Sequence, residues 1–477
     1  MTQPQGAPPS LYAAREPIFP RRVKGTFRTL KWWIMGGTLA VYYLTPFIRW
    51  DRGPNLPDQA VLIDLAGRRF YFFWIEIWPH EFYFVAGLLI MAGLGLFLFT
   101  SALGRVWCGY TCPQTVWTDL FILVERWIEG DRNARVRLWN ADWSLRKLRL
   151  RLTKWVVWFF IALVTGGAWV FYFADAPTLA RDLVTVQAPF IAYSTILVLT
   201  ATTFVFGGFM REQVCNYMCP WPRIQAAMMD NDTLTVAYRH WRGEPRGKHR
   251  KAADAGKLGD CIDCMACVNV CPAGIDIRDG QQMECITCAL CIDACDDVMA
   301  RIGKPRGLIG YLALADEERE TAGAPPRPIW QHVLRPRTIL YTVLWSLIGV
   351  VLVYALFIRS DIGLTVEPVR NPQFVTLSDG AVRNTYTVRI RNLTAQDRTF
   401  RLMLTSDEIL RIEVETDGPH EGHVTVPANE TMQARVYVTA RPQDPAAEAE
   451  ITDLRLWVED VGSDDRAGVA TIFNGRG

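Results

Sequence analysis

The chain has 477 residues, half of them hydrophobic and 12% aromatic, with a net charge of +2. That length suits about three domains, and the near balance of charge, with basic residues locally concentrated rather than spread over a face, excludes nucleic-acid binding as the organising property. All 12 cysteines lie between Cys108 and Cys295, which points to a cysteine-bearing middle in a reducing compartment followed by a disulfide-free tail.

In chain order, residues 1–31 form a basic arm with Arg15, Arg21, Arg22, Lys24, Arg28 and Lys31. No small-residue cleavage site follows the first apolar run, so this run reads as a retained anchor. Five uncharged segments, at about 32–48, 82–103, 155–173, 190–210 and 338–358, are each long enough to cross a hydrocarbon core about 30 Å thick. Residues 61–78 are nearly as apolar but carry Asp64, Arg68, Arg69 and Glu76. They read as a hairpin or interfacial segment with aromatics at headgroup depth. Ten basic residues fall between Arg105 and Lys154, whereas loop 174–189 offers only Arg181 against Asp175 and Asp182. The basic bias places the arm and the 105–154 loop in the cytoplasm, and five spans then put the C-terminus outside.

Each of the second and fourth spans is followed by a matched motif, Cys108-Gly-Tyr-Thr-Cys112-Pro113 and Cys215-Asn-Tyr-Met-Cys219-Pro220. Phe97-x-Phe99 and Phe204-x-Phe206 align upstream at the same offset, which suggests an internal duplication. Cysteines at i and i+4 share a helix face, about 5–6 Å apart at Cβ, and the following proline can open a new helix that favours a thiolate at its start. Small buried packing residues are the alternative. Soft thiolates select Cu(I), with Met210 and Met218 nearby as weaker ligand candidates. Neither pair has the C-x2-C-H of covalent haem attachment.

The cytoplasmic stretch Cys261 to Cys295 contains two copies of C-x2-C-x2-C-x3-C, the spacing of bacterial two-cluster ferredoxins. The remote fourth cysteine of each copy reaches the other cluster in that pattern. Cys261, Cys264, Cys267 and Cys295 are therefore expected on one 4Fe-4S cluster, and Cys285, Cys288, Cys291 and Cys271 on the other. C-x2-C alone would leave zinc or disulfides open; the doubled spacing favours clusters. Pro272 follows the first copy, while Asp296 stands where the second would have its proline.

From about residue 362 period-two alternation takes over, with strands expected at 385–392, 398–405, 409–415, 423–427, 431–440 and 454–460. This reads as an immunoglobulin-like antiparallel sandwich without the antibody cysteine pair. His420 and His423 form a possible metal pair, although such turn histidines are more often solvated. The expected fold is thus a multidomain membrane protein. It comprises an N-terminal arm (1–31), an α-helical transmembrane domain (32–250), an inserted two-cluster ferredoxin domain (251–315), a linker (316–337), a fifth span (338–358) and an all-β immunoglobulin-like domain (362–477).

With both cysteine sets in place, the sequence resembles the cytochrome c oxidase accessory protein family, CcoG, also called FixG or RdxA. The resemblance rests on LYAAREPIFPRRVKGTFRTLKWW, WCGYTCPQTVWTDLFILVERWIEGDRNAR, VCNYMCPWPRIQAAMMD, the ferredoxin stretch, DDVMARIGKPRGLIGY and the β tail. Trp221-Pro222 and Gly310 near Tyr311 depart locally from the family pattern. The resemblance implies a cupric reductase of the bacterial inner membrane, with the ferredoxin stretch cytoplasmic and the tail periplasmic. It would reduce Cu(II) to Cu(I) for the copper-delivery system and the assembly components of cbb3-type cytochrome oxidase, with Cys108, Cys112, Cys215 and Cys219 as catalytic copper contacts and a homodimer possible. Two other readings are a quinol-linked electron conduit and a scaffold that binds oxidase subunits through the sandwich. No G-x-G-x-x-G or Walker motif marks a donor site. The basic segment Arg239 to Lys257 suits either an acidic donor such as a flavodoxin or an ordinary basic membrane-proximal loop.

Overall fold

A computed structural model describes residues 17–53, 56–247, 258–359, 361–394, 396–415, 423–463 and 465–477. Arg15, residues 248–257 of the basic segment and His420 lie outside the described residues. The chain divides into two compact units, one holding residues up to Arg49 with Gln59–Leu352, the other Trp50–Asp58 with Val353–Gly477.

The first unit opens with α1 (Thr26–Leu44), a three-stranded antiparallel sheet of β1 (Val61–Asp64), β2 (Arg69–Phe72) and β3 (Ile75–Ile77), and α2 (Phe82–Leu103). The sheet occupies the segment expected as a hairpin or interfacial element. Then come α3 (Val106–Tyr110), α4 (Pro113–Ile128), α5 (Arg132–Asn140), α6 (Leu145–Val170), α7 (Ala176–Val184) and α8 (Phe190–Thr203). Two π-helical segments, Phe204–Met210 and Val214–Met218, lead from α8 to α9 (Trp221–Met228). The remainder is β4 (Thr235–Tyr238), α10 (His240–Gly243), α11 (Ala266–Val270), α12 (Leu290–Arg301), β5 (Ile309–Leu312), α13 (Glu317–Thr321), α14 (Ile329–Val333) and α15 (Pro336–Phe357). Strand β4 pairs with β5, so the ferredoxin-like fold takes in residues upstream of the expected boundary at 251.

Among the described residues, four helical stretches are long and apolar enough to cross a membrane: Phe82–Leu103, Leu145–Val170, Phe190–Met210 and Pro336–Phe357. They coincide with four of the five expected spans. The remaining expected span, 32–48, falls on α1, which starts six residues earlier and includes Arg28 and Lys31 in its first turns. Those charges shorten its apolar run. They are buried rather than solvated: Arg28 bonds both oxygens of Asp119 at 3.0 and 2.9 Å, and Lys31 lies 3.7 Å from the same carboxylate. At the opposite end of α1, the Tyr42 hydroxyl donates to Thr165 O at 2.7 Å and the Tyr172 hydroxyl donates to Tyr42 O at 2.9 Å. The far end of α1 therefore meets the far end of α6, and the 19 residues of α1 amount to ~28 Å at 1.5 Å per residue.

The N-terminus of α1 is capped by a distant residue. Asp293, on α12 between two cysteines, accepts hydrogen bonds from Phe27 N at 3.2 Å and Arg28 N at 2.7 Å. A carboxylate at the positive end of a helix satisfies amides that have no partner within the helix. Gly25 makes room for it, because a Cβ there would stand 2.2 Å from Asp293 Cγ. At the base of α15, Asp230 pairs with Arg335 at 2.5 Å and Arg337 at 3.1 Å, and buried His332 bonds Asp316 at 2.7 Å. The Asp230 pairs tie the last long helix to the turn that follows α9, and the His332 bond ties α14 to the turn before α13.

The second unit is a sandwich. One sheet orders β10 (Arg411–Glu415), β12 (Thr431–Ala440), β8 (Val382–Asn392) and β6 (Ile362–Pro368), with β7 (Val375–Thr376) also on β8. The other orders β11 (His423–Val426), β9 (Arg398–Ser406), β13 (Ile451–Asp460) and β14 (Arg466–Asn474). Alternate residues of β8 point inward, and Tyr386, Val388 and Ile390 are fully buried with Phe400, Val436, Leu456 and Phe473. Each such side chain contributes about 1.5–3 kcal/mol of burial. The six expected strands are present, joined by β6, β7 and β14. β6 contains Gly363 and Pro368, and β14 buries only Phe473, so neither shows clear alternation. His423 stands opposite Arg401 on β9.

Replacing Gly25 with alanine is expected to displace Asp293 and lower stability by about 1–3 kcal/mol, the usual cost of overpacking. Thermal unfolding of the full chain in detergent measures it; an unchanged midpoint contradicts the contact.

Candidate redox site

The two cysteine loops of the ferredoxin stretch share an unusual backbone. In the first, Asp263 and Met265 have φ of 53° and 56°; in the second, Thr287 and Ala289 have φ of 54° and 60°. The four residues flank the second cysteine of each loop at matching positions. A left-handed residue other than glycine costs roughly 1–2 kcal/mol, and backbones alternating in this way form concave nests of amides found at iron-sulfur sites. The duplication is therefore conformational as well as sequential.

Two small cavities lie inside these loops. One is lined by Cys261, Cys264, Cys267 and Cys295 together with Tyr238, Met299, Leu308 and Ile309. The other is lined by Cys271, Cys285, Cys288 and Cys291, with Cys267 at its edge and Val236, Ile275 and Ile277 around it. The structure thus brings together the same two sets of four that the spacing groups. Burial pushes Cys267 and Cys285 up to about 11 and Cys271 and Cys295 to about 12. Thiols in such apolar surroundings become thiolates only with a positive partner, as iron supplies. Largely apolar walls, with the Arg278 guanidinium at the Cys261–Cys295 cavity, eight thiols in two sets and left-handed turns at the second cysteines fit two 4Fe-4S clusters. Cys264 is exposed, whereas Cys261, Cys267, Cys288 and Cys295 are buried.

The second cysteine set is built from two distant parts of the chain. Cys108 lies in α3 and Cys112 is the N-cap of α4, with Pro113 in the first turn. Cys215 lies in a π-helical segment and Cys219 ends it before Pro220 and α9. Neither pair occupies one uninterrupted α-helix, in contrast to the i, i+4 expectation, because a new helix begins at Pro113 in the first motif and just after Pro220 in the second. Gln114 Nε2 donates to Phe206 O at 2.9 Å and Arg211 O at 3.1 Å, joining the two motifs. Cys108 Sγ donates to Gln225 Oε1 of α9 at 3.1 Å. Thr115 Oγ1 bonds Cys108 O at 2.7 Å and Cys112 O at 2.9 Å. Burial first, then Cys112 and Cys215, push the Cys108 thiol up to about 12; burial, Cys112 and Cys219 do the same for Cys215. Cys112 is raised by burial and by Cys219. Met218 is half-exposed beside this set.

The ferredoxin stretch is seated directly on the first motif. A Cβ at Gly109 would meet Ile286 O at 2.6 Å and Cys288 Cα at 3.0 Å, so backbone lies on backbone. Tyr110 donates to Cys288 O at 3.3 Å. Arg105 donates to Cys285 O at 3.3 Å, to Met283 O, and to Pro222 O beyond the second motif. A narrow cleft holds Cys215 and Asn216 on one side and Pro272, Ala273, Glu284 and Ile286 on the other. The loop of Cys285 to Cys291 is the one facing the paired motifs. Gly109, Arg105, Gln225 and Asp293 have no signal in spacing, although Gly109 stands where the second motif has Asn216. Among the described residues no three His, Cys, Asp or Glu side chains stand close enough to hold a single metal ion, His423 included.

Comparison with known proteins agrees with this architecture. A 4Fe-4S dicluster domain model matches residues 210–313, a 4Fe-4S binding domain model matches 84–131, and the model of the Ig-like fold at the C-terminus of FixG matches 352–476. Protein RdxB of Cereibacter sphaeroides is 67% identical, with all of both chains covered. Protein RdxA of the same organism is 64% identical over 97% of each chain. The nitrogen fixation protein FixG of Rhizobium meliloti is 53% identical, covering 97% of this chain and 94% of its own. With two cysteine loops shaped for clusters, four long apolar helices and this likeness over its full length, the chain belongs to the FixG/RdxA family of iron-sulfur membrane redox proteins.

Proposed function

We propose that the chain is a cupric reductase of the bacterial inner membrane, delivering single electrons to Cu(II) at the four cysteines of the paired motifs. The observation that carries this reading is the convergence of Cys108, Cys112, Cys215 and Cys219 beside the Cys285–Cys291 loop, bridged by Arg105. Cys261, Cys264, Cys267 and Cys295 would hold one cluster and Cys271, Cys285, Cys288 and Cys291 the other, and such clusters would supply one-electron storage and relay. Copper is the substrate. One electron converts Cu(II) to Cu(I), and soft thiolates favour the reduced ion. The four thiols are half-buried rather than sealed off, which suits an ion that must leave. Their raised proton affinity means that bound copper displaces protons, so capture weakens as pH falls.

The exposed side of the Cys261–Cys295 set, at Cys264, is the entry for electrons, and the buried Cys285–Cys291 side is the exit. Arg105 and Gly109 hold the exit loop in place. The donor is a cytoplasmic protein or a quinol. The basic arm and the 105–154 segment share a face, since Arg22 N donates to Asp131 at 3.0 Å and Arg21 N donates to Asn269 O of the ferredoxin stretch at 2.7 Å. A common basic face belongs in the cytoplasm. Helix α1 serves as the fifth crossing despite its charged first turns, because its far end meets the far end of α6; the tail domain is then periplasmic. The Cu(I) formed supports copper delivery and assembly of cbb3-type cytochrome oxidase.

Anaerobic, dithionite-reduced protein freed of reductant is expected to reduce Cu(II) stoichiometrically, read with a Cu(I)-specific chelator. The variant with serine at positions 108, 112, 215 and 219 is expected to keep its iron and lose that reaction; unchanged reduction refutes the site. In a second test, Gly109→Ala is expected to push the Cys285–Cys291 loop away from the motifs. Its iron content and reduced-cluster spectrum should stay as in the parent while copper reduction slows; an unchanged rate in a variant of unchanged iron content contradicts the exit assignment.

A further inference from the structure

A cavity of about 510 Å³ lies at the charged end of α6, and Arg211 and Glu212 stand between it and the cleft of Cys215. Lys147, Arg151, Lys154 and Arg211 line it, against the carboxylates of Glu125 and Glu212. Behind the wall, Glu129 pairs with Arg151 at 3.2 Å and Lys154 at 2.9 Å, and Arg135 pairs with Glu125 at 3.0 Å. Five cations thus surround three carboxylates, and Arg135, Lys154, Glu125 and Glu129 are all more than nine-tenths buried. Arg211 also pairs with Glu125, at 2.6 Å, and Lys147 Nζ donates to Trp139 O at 3.0 Å and Ala141 O at 2.5 Å. Removing charge from water is costly unless it is paired, and the net positive charge that these shared partners leave favours an anion.

The walls describe that anion. Arg151 lies 5.6 Å over the Trp139 ring and Lys147 5.2 Å over Trp143. Lys154 and Arg211 lie 4.8 and 5.5 Å over Trp158. Tryptophan and basic side chains together mark the headgroup level of a membrane, and here they occur where the charged turns of α6 give way to its apolar turns. On the neighbouring stripe of α6, Leu148, Leu152, Val156, Phe159 and Phe160 are 42–57% exposed. That stripe leads from the cavity along the apolar length of the helix.

We propose that this cavity binds the phosphate headgroup of an anionic phospholipid, with its acyl chains lying along the Leu148–Phe160 stripe. The phosphate sits among Lys147, Arg151 and Arg211, where basic side chains at membrane level recognise acidic lipids. The bound lipid compensates the excess charge and fixes the charged end of α6 to α4 and to the π-helical turn before Arg211. Lipid capture does not depend on copper chemistry.

Native mass spectrometry of the full chain in neutral detergent tests this, with phosphatidylglycerol and phosphatidylcholine of identical acyl chains offered together. One phosphatidylglycerol is expected to stay bound in preference to phosphatidylcholine. Arg151→Gln and Lys147→Gln, made singly, should each lower its retention about fivefold, the equivalent of ~1 kcal/mol per basic residue. Equal retention of the two lipids by the parent protein overturns the proposal without recourse to any variant. Complete displacement of phosphatidylglycerol by inorganic phosphate also overturns it, because the site would then take free phosphate rather than a lipid.

Discussion

The arrangement rests on one close approach of backbone to backbone, Gly109 of the first C-x3-C-P motif against Ile286 and Cys288 of the ferredoxin loop. No side chain fits between the two strands of chain, so the residue between Cys108 and Cys112 that faces the loop is glycine. Arg105 then spans the joint, one end on the carbonyls of Met283 and Cys285 and the other on Pro222. A guanidinium offers five donors in a planar fork, which lets a single residue fix three pieces of chain at once. Lysine at this position would reach fewer of those carbonyls.

Buried charge performs a second joining role. Asp119 gathers Arg28 and Lys31 from α1, and Glu125 gathers Arg135, Lys154 and Arg211 from three other segments. Burial alone would raise the Glu125 carboxyl, but Arg211 and Lys154 overcome it and hold it at about 2. It therefore stays ionised throughout the physiological range. Pairs of this kind add little net stability compared with apolar packing, yet breaking one costs several kcal/mol. They specify which helix ends meet, and they lie in the layer between the apolar helices and the ferredoxin stretch.

The sequence was most informative where chemistry imposes spacing or period. Eight cysteines in two identical intervals announced the cluster loops, and alternation marked the inner strands of the sandwich around Tyr386, Val388 and Ile390. Period and spacing failed where tertiary contact decides. The start of α1 is set by Asp293, more than 260 residues away, so no local signal places it at Thr26. The turn at Phe204–Met210 is π-helical and ends at Arg211 with φ of 43°, a departure from 3.6-residue periodicity that hydropathy does not register. Two similar motifs suggested duplication but not contact. The one difference between them at the second position, Gly109 against Asn216, was the available hint that only the first carries the ferredoxin loop.

Convergence of the paired motifs is the claim on which the functional reading depends, and thiol cross-linking tests it most directly. A short bifunctional thiol reagent applied to the membrane-embedded protein, followed by proteolysis and peptide mass spectrometry, reports which cysteines are neighbours. The account predicts links between a peptide holding Cys108 or Cys112 and one holding Cys215 or Cys219. Links confined within each motif, with none between them, would contradict it.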